Sequence, residues 1–136
     1  MNERAVIAAA RLLSMLCGLG AVAAAVLYAG PEGLVRRPLP EGQETLVVLI
    51  ESAFPVWPFL FGLTGTCLIV CAWRPRQILI AHGFVILAWG FWGFCLIIAP
   101  LRSVPPTPII VGVLAFVLGV ASNFGTMRLW AALGVK

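Results

Sequence analysis

Charge is scarce in this sequence. Of 136 residues only 10% are charged, aspartate is absent, and five glutamates stand against nine basic residues. A soluble domain carries about 25% charged residues, so this chain has too few to clothe a water-facing surface. It has one histidine. These shortages exclude most catalytic chemistry. There is no Ser-His-Asp set, no phosphate loop, no CxxC, no HExxH and no haem-ligating histidine pair. Glu51 is the sole acidic residue near an apolar run, and it lacks the second group that acid–base hydrolysis uses. The chain therefore reads as a non-enzyme with no cofactor. The net charge of +4 is no nucleic-acid footprint, because the basic residues sit at the ends of apolar runs rather than on one face.

Cysteine is sparse as well. Cys17, Cys67, Cys71 and Cys95 all fall inside apolar runs and imply no disulfide framework. Cys67 and Cys71 are four apart, a spacing that suits a metal, but only His82 is available as a further nitrogen ligand. Small apolar filler is the better reading, and no metal site is expected.

What the chain has is apolar length. It is 62% hydrophobic, with a mean hydropathy of +1.07. Residues 78–99 (ILIAHGFVILAWGFWGFCLIIA) contain no Asp, Glu, Lys or Arg. As a helix they span roughly 33 Å at about 1.5 Å per residue, enough for a bilayer core of about 30 Å. Residues 12–29, 56–73 and 109–127 form three further apolar runs. The basic start before residue 12 also suits a signal peptide. However, the run is long for one, and Leu27, Tyr28 and Ala29 make a poor cleavage site. Residues 30–45 carry three Pro, three Gly, three Glu and two Arg and read as a turn-rich loop. Residues 46–54 are apolar around Glu51 and are followed by Pro55 and Pro58. They read as a short interfacial helix, with Glu51 toward water and Trp57 at the interface, in preference to a kinked continuous span that would put Glu51 in lipid. The expected fold class is all-α: a single polytopic membrane domain, an antiparallel four-transmembrane-helix bundle with a short interfacial helix before the second span.

Orientation follows the basic residues. Arg4, Arg11, Arg74, Arg76, Arg128 and Lys136 lie on one side, and Arg36, Arg37 and Arg102 on the other. Both termini are expected in the cytoplasm, with the protein in the plasma (inner) membrane and the 30–45 loop outside. Arg128, Trp130 and Lys136 are expected to anchor the last span at the interface.

Each run also carries small residues at helical spacing. The first has Ser14, Gly18, Ala21 and Ala25. The second has Gly62, Gly65 and Ala72, and the third Gly83, Gly90 and Gly93. The fourth has Gly112, Ala115, Gly119, Ser122 and Thr126. Small side chains let helices approach in lipid, where van der Waals contact drives association, and a 3.5-residue period favours crossings near about +20°. The stripes do not say whether the partner helix lies in the same chain or in another copy. Among polar residues within the runs, Asn123 suits a bond between helices. His82, four or five residues inside its run, reads as interfacial rather than as a proton relay. Glu51, His82 and Asn123 are the polar candidates for function.

A four-span chain with cytoplasmic termini, a tryptophan-rich third span and Pro105-Pro106-Thr107-Pro108 between spans three and four resembles the holin-like membrane proteins in lysis cassettes of phages infecting actinobacteria. That resemblance implies accumulation and oligomerisation in the inner membrane, then permeabilisation or depolarisation, with no catalytic residues. The expected partners are the lipid bilayer and either further copies or another membrane protein. Two other readings remain open. One is an accessory subunit docking through residues 89–94, and the other a small proton-linked transporter using Glu51 and His82.

Overall fold

The computed structural model describes residues 3–31, 46–102 and 109–135. Most of the 30–45 loop and the whole Pro105–Pro108 motif lie outside those residues. Every regular element described is helical. The elements are α1 (Glu3–Ala29), α2 (Leu46–Ala53), α3 (Val56–Trp73), α4 (Ile78–Arg102) and α5 (Ile110–Ala132). Four of them, all but α2, are long and apolar enough to cross a membrane.

The helix ends follow local chemistry. α1 begins at Glu3, so the basic start belongs to the same helix as the apolar run. Pro55 caps α3 and Pro58 lies in its first turn, where a missing N–H costs no helical bond. Residues 74–77 return the chain directly into α4. There Gln77 takes a left-handed φ of 61°, and its carbonyl accepts the Ala81 N–H at 3.0 Å. α5 closes with Gly134 at φ 74°. The Gly134 N–H bonds to Ala131 O and the Val135 N–H to Trp130 O. That pairing is the Schellman arrangement, which satisfies carbonyls a helix end leaves open.

α1 packs closely on α3, and α4 on α5. The two pairs join along α3–α4, and more loosely along α1–α5. Glycine makes the close pairs. A Cβ on Gly18 would lie 2.9 Å from Gly65 O, and one on Gly65 2.7 Å from Gly18 O. In the other pair Gly93 lies against Phe116, Gly112 against Leu96 and Ile97, and Gly119 against Trp89. These glycines are thus filled within one chain. α2 is tied to the start of α3 by Trp57, whose indole N–H donates to Val47 O at 3.1 Å.

Large apolar side chains face outward on every long helix, among them Leu16 and Leu19 on α1, Leu63 on α3, Leu87 on α4 and Leu118 on α5. The interior holds Trp57, Phe61, Leu68, Val85 and Trp130, all at most 1% exposed. Trp57 and Trp130, expected at the interface, thus turn their rings into the protein interior near the ends of α3 and α5. Both are aromatic bodies with one donor, and each finds an internal acceptor, which makes burial inexpensive.

Candidate functional site

The interior between α1, α4 and α5 is polar at one level. Ser14, His82 and Asn123 are at most 1% exposed. His82 follows the 74–77 turn by about one helical turn and points into the interior of the molecule rather than to its surface. Its Nε2 lies 2.9 Å from Ser14 Oγ on α1, and its Nδ1 lies 3.0 Å from Asn123 Oδ1 on α5. The sequence placed these three polar residues in different runs, and the fold brings them together.

Two backbone carbonyls and one indole complete the set. The Asn123 amide donates from Nδ2 to Gly119 O at 2.8 Å. The Trp130 indole donates to Ser14 Oγ at 2.8 Å, and Ser14 Oγ also lies 3.0 Å from Ala10 O. Trp130 is the residue sequence reasoning missed. It follows Asn123 by seven positions, two helical turns, and so shares its face. That spacing was the available signal.

The protons can be assigned. Gly119 O accepts only, so it fixes the Asn123 Nδ2 side and leaves Oδ1 toward the ring. His82 Nδ1 must therefore donate. In a neutral ring Nε2 is then bare and accepts from Ser14. The chain runs Trp130 N–H to Ser14 O–H to His82 Nε2, then His82 Nδ1–H to Asn123 to Gly119. Because His82 is the chain's one histidine, this is directly checkable. Nitrogen-15 spectra of histidine-labelled protein at neutral pH are expected to show one ring carrying its proton on Nδ1. A ring protonated on Nε2 alone would overturn the assignment.

Beside this network a groove of about 550 Å³ opens between α1 and α5. Trp89, Gly119 and Asn123 line its inner part, and Leu13, Leu16 and Leu129 are among its apolar walls. Cys17 on α1 and Ser122 and Thr126 on α5 also line it. Ser122 is exposed and bonds back to Leu118 O at 2.5 Å. It therefore lies off the packed face of α5, whereas Asn123, one residue and about 100° onward, lies on it.

The remaining sequence candidates are dispersed. Ala21 and Ala25 are buried on α1, and Gly62 faces Ala25. Gly90 approaches Val120 and Phe116, and Gly83 meets nothing within 4 Å. Ala115 is half-buried. Glu51 is half-buried on α2, which precedes α3, while His82 follows it. α3 has 18 residues and His82 lies about one turn back along α4, so the two stand roughly 20 Å apart along that axis, too far to act as one proton site. Cys67 and Cys71 touch on α3, but among the described residues no three His, Cys, Asp or Glu gather to hold a metal.

A second cluster occupies the other end. Trp92 donates its indole N–H to Tyr28 Oη at 2.7 Å, and the two rings meet edge to face. Phe61 joins Trp89 and Trp92 with ring centroids 4.8 and 5.9 Å away. Such pairs add about 0.5–1.5 kcal/mol each beyond area burial, which suits a structural brace. No family model matches this chain, and neither does any curated protein or solved structure.

Proposed function

We propose that the chain is a multi-pass protein of the plasma (inner) membrane. Its four long helices form an antiparallel bundle, and both termini are cytoplasmic. It acts without catalysis, self-associating to permeabilise or depolarise the membrane in the holin-like manner of phage lysis proteins. One observation carries this reading. An outer surface suited to lipid is interrupted between α1 and α5 by a groove holding a thiol, hydroxyls and the edge of a buried amide. Polar groups facing lipid are unfavourable alone and gain from a second helix or from water. The close-packed glycines are occupied internally, so contact between copies falls to this groove and to Gly20 and Gly125 on its walls, where an added Cβ meets open space.

Inducible expression in a bacterial host is expected to collapse the membrane potential, read with a potential-sensitive dye, once the protein has accumulated. Full expression with growth and potential intact would eliminate the reading. A second reading, an accessory subunit of a larger membrane complex, draws on Phe84, Phe91 and Phe94, which are exposed along α4. Recovery of a stoichiometric partner on those residues would favour it.

A further inference from the structure

We propose that Ser14 and His82 form a proton-operated latch that holds α1 against the α4–α5 pair. The latch rests on the membrane-permeabilising reading, for which it supplies the control. Three observations lead to it. Ser14 has one hydroxyl proton and two acceptors at bonding distance, His82 Nε2 at 2.9 Å and Ala10 O at 3.0 Å. The indole of Trp130 already donates to Ser14 Oγ, so the hydroxyl cannot be satisfied by a further donor while its own proton points elsewhere unless that donor is the ring. And His82 is fully enclosed, one residue layer behind the groove that Asn123 lines.

The network therefore has two complete arrangements. With a neutral ring, Ser14 donates to Nε2. When a proton from water binds Nε2, that N–H donates to Ser14 Oγ, and Ser14 turns its own proton to Ala10 O. Nδ1–H stays on Asn123 Oδ1 throughout. No covalent bond other than the new N–H forms or breaks. The hydrogen bonds balance in both states, but the charge does not. The titratable groups on the helices around the ring are Glu3, Arg4, Arg11, Cys17 and Tyr28 on α1, Cys67 and Cys71 on α3, Cys95 and the terminal Arg102 on α4, and Arg128 on α5. The ring's immediate surroundings are burial, the Ser14 hydroxyl and the Asn123 amide. Arg11 is itself a cation, with an enclosed Nε that has no partner. A cation enclosed without a counter-ion is strongly unfavourable. The seam between α1 and α5, looser than the α1–α3, α4–α5 and α3–α4 seams, lies beside it. Proton uptake thus favours parting of that seam and entry of water, and by linkage an open seam favours proton uptake.

The test uses the full chain in phosphatidylcholine–phosphatidylglycerol vesicles between about pH 8 and about pH 5, the window in which histidine changes charge. Cys17, on the wall of the seam, is the reporter, with Cys67→Ser, Cys71→Ser and Cys95→Ala introduced so that it alone reacts with maleimide. Labelling relative to the same protein carrying His82→Gln is expected to rise as pH falls, by up to about tenfold per pH unit, the limit for one proton. The nitrogen-15 spectrum of His82 in the unsubstituted chain is expected to move to the doubly protonated form over the same range. A pH-independent labelling ratio overturns the latch, as does a ring that stays neutral to the bottom of the range. Labelling that follows pH in vesicles that retain a trapped dye at every pH supports the latch and removes the permeabilising reading. Dye release that is the same at every pH and in His82→Gln does the reverse.

Discussion

Gly65→Leu is expected to part α1 from α3. The backbones of Gly18 and Gly65 lie against each other, so a Cβ on Gly65 would stand 2.7 Å from Gly18 O and 2.9 Å from Ala21 Cβ. The first of these neighbours is main chain and cannot swing aside as a side-chain tip would. Overpacking a close-packed interior costs about 1–3 kcal/mol and occasionally more, and a leucine at a backbone contact belongs at the top of that range. About 3 kcal/mol is a shift of roughly a hundredfold in an equilibrium constant. Unfolding in detergent, followed by loss of a disulfide cross-link engineered between α1 and α3, measures it. Gly83→Ala is the control. Nothing lies within 4 Å of that position, and alanine is the better helix former by up to about 1 kcal/mol, so no loss is expected there. Equal behaviour of the two variants would refute the glycine contact.

Ser14→Ala is expected to be nearly as damaging, for an opposite reason. It removes an atom rather than adding one, and it strands two groups. The Trp130 indole N–H and His82 Nε2 both lose their partner in positions at most 1% exposed. Hydrogen bonds between membrane helices average only about 0.6 kcal/mol. A buried group left unpaired costs about 1–3 kcal/mol, so the stranded groups outweigh the lost pair energies, and a loss of about 2 kcal/mol or more is expected. The same unfolding measurement applied to a double-mutant cycle with Trp130→Phe separates the effects. The pair should cost less than the sum of the single changes, because the phenylalanine leaves no stranded donor. Additive losses would show that the indole and the hydroxyl do not depend on each other.

The sequence shows the long helices plainly because each is a run too apolar to face water, and α3 plainly at both ends because Pro55 and the short 74–77 turn bound it. Which face each helix buries is much less legible. Along α4 apolar residues surround the axis, so nothing in the periodicity points His82 inward rather than outward. On α5 the small-residue spacing groups Ser122 with Gly112 and Gly119, yet Ser122 is exposed and Asn123 takes the inward position. Asn123 shares that face with the indole two turns on, which donates to Ser14 on α1. Trp130 reads as a membrane-surface anchor for the same reason. A tryptophan near a helix end satisfies that rule, and only tertiary structure supplies Ser14 as its alternative partner.

The groove of the molecule lies between its first long helix and its last, and that has a consequence for biosynthesis. Synthesis delivers α1, α3 and α4 before α5, so Ser14 and His82 leave the ribosome well ahead of Asn123 and Trp130. Until the final segment arrives, a hydroxyl and an imidazole stay without their lateral partners in an otherwise oily assembly. The last helix therefore acts as a keystone, and a chain stopped before Asn123 leaves that polar gap open.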